Sequence, residues 1–233
     1  MEWKIGGGRG ATRLVRALVL LSAALAMAQP GLVAADSREQ AKRMHDRLAG
    51  VPPTAAMLDS MAADLAAGRS IDAAYKAMEH RAFYDVTLKN FAMPWTNRDQ
   101  TVFAPLNDYV ATVIGMVRDD VPFNLLLSED ILYVGSGGGV PAFSPSSNAH
   151  YEALESSNAN LKTALTRTTQ SAATGLPPDA TAGVMTSRAA AQAFFVAGTN
   201  RAMFRFTLMN HLCVDLEQVQ DPTRPPDRIR QDV

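Results

Sequence analysis

Cysteine is nearly missing from this sequence: Cys213 is the sole thiol in 233 residues. An internal disulfide is therefore excluded, and the hydrophobic core alone must hold the fold together. The same scarcity excludes covalent c-type haem within the chain, because that attachment needs C-x-x-C-H, with two thiols and an axial histidine. Histidine is also sparse. His45, His80, His150 and His211 form no metal-spaced pair, and no H-E-x-x-H motif occurs. Charge is thin and almost balanced, at a net −1. No basic surplus marks a nucleic-acid or anionic-membrane partner.

Only one long hydrophobic run is present, and it lies near the N-terminus. Lys4, Arg9, Arg13 and Arg16 precede the apolar stretch "ALVLLSAALAMA", after which small residues follow. Basic, apolar and then small is the order of a secretory signal, and residues 1–35 are expected to be one. The run is too short for a comfortable permanent span. Ala26-Met27-Ala28 and Val33-Ala34-Ala35 both suit cleavage. Without this segment, Lys and Arg fall from 22 to 18 and Asp and Glu from 23 to 22, which leaves a mildly acidic domain. A periplasmic or secreted location follows, with no membrane contact once the signal is removed.

Glycine clusters at one place, in "ILYVGSGGGVPAF", residues 131–143. A dinucleotide fingerprint needs G-x-G-x-x-G between a strand and a helix, but Val140 stands at the third glycine position. Pro141 and the following "FSP" delay any helix that could point its N-terminus at a phosphate. Neither Gly-Lys-Ser/Thr nor a G-x-S-x-G elbow is present. The stretch reads as a loop.

Periodicity points to an all-α, multi-helix domain over residues 36–233. Ala41, Met44, His45 and Leu48 form one helical stripe, with Asp36 or Ser37 as N-cap and Gly50 as stop. Leu58, Met61, Ala62 and Leu65 form a second behind the Thr54 cap, with Gly68 as terminator. Ile71, Ala74, Tyr75 and Met78 form a third. Short turns should fold these helices back on one another. The segment before Pro94 reads as helix to Met93, and a longer helix is expected from Leu106 to Arg118. Residues 121–134 read as a shorter helix followed by extended chain. From Gly135 to about Asp179 the composition turns to Gly, Ser, Thr, Asn and Pro, which predicts a long irregular surface excursion with one short helix near His150–Glu155. Two more helices close the chain. The last, "NRAMFRFTLMNHLC", is apolar nearly all round and is expected in the core, with Phe204, Leu208 and Leu212 on one stripe and Phe206, Met209 and Cys213 on another.

No catalytic constellation or metal set emerges. His45 and His211 read as packed helix-face residues, and Met57 and Met61 as core filler rather than soft-metal ligands. Asp119-Asp120 and Glu129-Asp130 are adjacent, so a helix would point each pair apart; they read as helix-end charges. Cys213 has no base beside it in sequence and reads as a structural thiol on a buried helix.

Several blocks carry a family resemblance. "RLAGVPPTAAMLDSMAADLAAGRSIDAAYKAMEHRAFYDVTLKNFAMPW", "DDVPFNLLLSEDILYVG", "AGVMTSR" and "NRAMFRFTLMNHLC" followed by "RPP" resemble a planctomycete-type, cytochrome-associated family of large secreted proteins. The resemblance covers most of residues 44–228, through motifs that are structural rather than catalytic. Gly135 stands where that family usually has Asn, and Met203-Phe204 where it has Arg-Gly, so a divergent branch is implied. Members often carry C-x-x-C-H haem segments elsewhere. The resemblance therefore implies an N-terminal part of a longer protein, or a branch without its haem segment, with haem in a further segment or in a partner. The leading expectation is an exported, non-catalytic helical module within or beside a c-type haem-containing redox or surface assembly. The alternative is an exported enzyme acting on an extracellular or polysaccharide-derived substrate, with its site in the 135–179 excursion. A third is a purely structural exported domain.

Overall fold

The computed structural model describes residues 36–137, 139–195 and 202–218. The expected signal segment, residues 1–35, lies outside them, as does Gly138 of the glycine loop. The fold is all-α in character, with one two-stranded sheet among the described residues.

Three helices open it: α1 (Ser37–Ala49), α2 (Ala55–Ala66) and α3 (Ser70–Met78). Their ends follow the expected caps. Asp36 accepts the Arg38 amide, Thr54 accepts that of Met57, and Gly50 closes α1 in the left-handed conformation. The first two stripes face inward as expected, around a satellite core of Ala41, Met61, Ala73 and Ala77. The third stripe does so only in part. Met78 packs on the main core, but Ile71 and Tyr75 are 69% and 63% exposed, and α3 fully buries Ala73 and Ala77 instead. Alanines let the helix axes approach closely, and close packing of small side chains decides the face that α3 presents.

The chain then makes a π-helical turn (Phe83–Leu88), α4 (Lys89–Ala92) and a 3₁₀ turn (Met93–Thr96). Pro94 therefore continues the helical path by one turn instead of ending it. It sits at the start of the 3₁₀ turn, where no amide hydrogen is required. The centre of the molecule is α5 (Asp108–Arg118), capped by Asn107, with nine consecutive residues from Asp108 to Met116 buried. After a 3₁₀ turn (Phe123–Leu127), β1 (Leu132–Gly135) pairs antiparallel with β2 (Leu165–Thr168), Leu132 opposite Thr168 and Gly135 opposite Leu165. A Cβ on Gly115 would lie 2.1 Å from the Tyr133 ring, so glycine is what lets β1 cross α5 this closely. At the far end of α5, Asp119 takes a two-pronged hydrogen bond from Arg118 (2.7 and 2.9 Å) and one from the Tyr133 hydroxyl (2.7 Å). Arg118 holds that carboxyl below its usual range. Asp119 is thus a helix-end charge, as expected, and it also ties the sheet to the helix.

The excursion carries more structure than its composition suggests. It contains α6 (Ala149–Ser156), α7 (Leu161–Ala164), β2 and α8 (Gln170–Thr174). It also places Tyr151, Leu154, Leu161 and Leu165 in the main core. Non-local pairing with β1 and burial against α5 organise it, and neither leaves a local periodic signal. The described residues end with α9 (Arg188–Phe194) and α10 (Ala202–Leu212), then a 3₁₀ turn (Leu216–Gln218).

The expectation that α10 is central is overturned. None of its residues is fully buried, Phe204 and Leu212 are 56% and 62% exposed, and Cys213 is exposed just beyond its end. The central place belongs to α5, whose buried circumference leaves no room for a second core helix. A pattern apolar on every side cannot choose a face; the surface already built chooses it. Met203 and Phe206 rest on the main core, with Phe206 against Phe194 at 4.0 Å between ring centroids.

Candidate functional site

Two features stand out above packing: an open polar cleft and an apolar aromatic face. The cleft, of about 900 Å³, lies between the 96–107 segment, residues 145–152 and α9. Behind its Arg188–Ala189 wall lies Asp108, the first residue of α5, which is 1% exposed and does not line the cleft itself. The Asp108 carboxylate accepts the backbone amides of Arg188 (2.6 Å), Ala189 (3.0 Å) and Tyr109 (3.0 Å). It therefore satisfies the otherwise unpaired first amides of α9 from 80 residues away. Burial pushes this carboxyl upward, opposed by the Ala189 amide and the nearby Arg188 charge.

Arg188 reaches from that junction into the cleft wall. It donates to Gln192 Oε1 (2.5 Å) and Asn148 Oδ1 (2.8 Å), both neutral acceptors. Its Nε is buried without a partner. Arg98, on the same cleft, donates to the Ala193 carbonyl (2.6 Å). Glu152 is the acidic side chain of the lining and accepts from Asn148 (3.1 Å). Ser146 and Ser147 bond to Ser144 and the Ala149 amide rather than to a base.

The aromatic face starts at exposed Phe91, which meets Trp95 edge-on at 4.8 Å. Trp95 meets His211 at 5.8 Å, and His211 Nε2 is hydrogen-bonded to the buried Tyr109 hydroxyl at 2.9 Å. Asn210 donates to the Trp95 carbonyl (3.3 Å), so His211 and Asn210 anchor α10 on this ladder. Phe204 and Leu212, on the same helix as His211, and Phe195, just past α9, are also more than half exposed.

Burial lowers the His211 pKa below the ordinary imidazole value of 6.5. The unfolded chain then binds the proton first as pH falls. This contribution to stability is complete above 6.5 and is lost progressively below it, towards the folded pKa. Chemical melts across this range should show the wild type losing stability relative to His211→Gln as the solution is acidified. Parallel pH profiles for the two proteins would remove His211 as the titrating group.

The other histidines are structural. His45 Nδ1–H donates to the Val51 carbonyl (2.8 Å), and His45 is buried as expected. Buried His150 bridges the glycine loop: Nδ1–H donates to the Pro141 carbonyl (2.6 Å), and Nε2 accepts the Gly135 amide (2.9 Å). That bridge ties Gly135 to Pro141, and Gly139 lies in the left-handed region, an arrangement of a turn rather than of a phosphate cradle. Met61 fills the satellite core and Met57 packs beside it. Cys213, expected on a buried helix, is exposed at positive φ just past α10. Asp130 accepts the Ser171 amide (3.0 Å) and ties α8 to β1. Among the described residues no cluster of three or more His, Cys, Asp or Glu could hold a metal ion. No described helix is long and apolar enough to cross a membrane.

Asp108, Arg188, Asn148 and Trp95 escaped the sequence reading. The signals were present, an Asn107-Asp108 pair opening the central helix and Arg188 ending "AGVMTSR", but only the fold joins them. Compared with protein families, curated proteins and solved structures, the chain finds no significant match.

Proposed function

We propose that the chain is an exported, non-catalytic helical module that docks onto a partner in a periplasmic or secreted redox or surface assembly, the partner being a haem-containing domain. The observation that carries this reading is the aromatic face. Phe91 is exposed against Trp95, Trp95 meets His211 of α10, and Phe204 and Leu212 of the same helix are more than half exposed. Apolar side chains gathered on one face of a folded domain mark interaction surfaces. The second reading, an exported enzyme acting on a polysaccharide-derived substrate, draws on the cleft itself, since residues 145–148 of the excursion line it.

Purification from the native host tests the proposal. Mass spectrometry should find a mature start near Gln29 or Asp36, and the co-purifying complex should show a haem Soret band. Protein recovered from cytosol with Met1 retained, or an isolated complex free of haem absorbance, would contradict it.

A further inference from the structure

We propose that the cleft between the 96–107 segment, residues 145–152 and α9 binds a small hydroxylated monocarboxylate, such as a sugar acid, through Arg188. A guanidinium has five N–H donors, and Arg188 commits two of them, to Gln192 and Asn148. Among the described residues no carboxylate ion-pairs with it, and its acidic neighbour Asp108 is taken up by backbone amides. Its Nε is buried, and each terminal nitrogen keeps one further N–H, two donors that a guanidinium can offer to a carboxylate. The side chain is also pre-oriented, because both neutral partners fix the plane of the fork before a ligand arrives.

The rest of the lining narrows the class. Arg98 and Arg188 against Glu152 leave one net positive charge on the wall, which complements a monoanion better than a dianionic phosphate. Glu152, Gln192, Ser146 and Ser147 offer acceptors and donors suited to hydroxyl groups. An apolar acid would leave these groups unpaired. The volume of about 900 Å³ exceeds what one sugar ring needs, so the cleft has room for a ring at Arg188 and further units beyond it.

Titration calorimetry of the mature protein with D-glucuronate, glucose and inorganic phosphate tests the inference. Glucuronate should bind saturably, glucose should show no saturation over the same range, and phosphate should bind more weakly than glucuronate. Arg188→Lys keeps the charge but loses the fork, and glucuronate affinity should fall by about tenfold or more. Glu152→Gln, at the exposed rim, keeps the fold and should tighten phosphate relative to the wild type. If Arg188→Lys fails to fold, Glu152→Gln and the wild-type ligand series still decide. No saturable glucuronate binding, equal binding of glucose, or unchanged phosphate affinity in Glu152→Gln would overturn the proposal. So would unchanged glucuronate affinity in a folded Arg188→Lys protein.

Discussion

Replacing Asp108 with alanine is expected to lower the unfolding free energy by about 2–5 kcal/mol, because it orphans buried backbone amides at about 1–3 kcal/mol each. The Arg188 and Ala189 amides that open α9 both end on this carboxylate, which is 1% exposed. Relief of the desolvation of one buried charge offsets part of the loss, which keeps the figure below a simple sum. Asp108→Asn separates the contributions. Its amide oxygen can accept one of the two α9 amides, while its NH₂ faces the other, so it should recover only part of the alanine loss. Typical domains hold about 5–15 kcal/mol in total, so the alanine variant should melt far below the wild type. An Asp108→Ala protein with wild-type denaturant midpoint would mean that α9 finds its cap elsewhere.

Gly183→Ala should be comparably severe, at about 2–5 kcal/mol, for a different reason. Gly183 sits at φ +51°, where an L side chain costs about 1–2 kcal/mol. A Cβ there would also lie 1.9 Å from the Leu126 carbonyl oxygen, and backbone cannot swing aside like a flexible side chain. Displacing it adds roughly 1–3 kcal/mol of overpacking. The contact has a purpose in the fold. The Gly183 amide donates to the Glu129 carbonyl (3.0 Å) and the Val184 amide to that of Leu126 (2.9 Å), which staples the "AGVMTSR" segment beneath β1. Gln170 adds hydrogen bonds to the Gly183 and Ile131 carbonyls from the other side. Equilibrium melts measure the cost, and Gly183→Ala within about 0.5 kcal/mol of wild type would show that the segment lifts away freely.

These two positions show where sequence reading stops. Caps at Asp36, Thr54 and Gly50 were legible because a cap acts on amides and carbonyls within a few residues. The inward stripes of α1 and α2 were legible for the same local reason. In α3, Ile71 and Tyr75 misled, because the large residues face solvent while Ala73 and Ala77 make the contact. In α10 the apolar pattern had no preferred side, so its position depended on how α5 fills the centre. The β1–β2 pairing, the Asp108–α9 cap and the His150 bridge join residues too far apart for any periodicity to reveal. The cleft was illegible in the same way: Arg98, Asn148 and Arg188 come from three separate segments.

As a docking face, α10 contributes little to the stability of the isolated domain and much to partner association. The double variant Phe204→Ser/Leu212→Ser tests this directly, since both side chains are more than half exposed. Stability and partner association should be read from the same preparation. The account predicts an unfolding free energy within about 0.5 kcal/mol of wild type, as for surface substitutions in general, together with loss of the co-purifying partner. A stability loss of about 2–5 kcal/mol, the scale of a buried large-to-small change, would place α10 in the core and contradict it. A stable variant that keeps its partner would show that the assembly forms through another face.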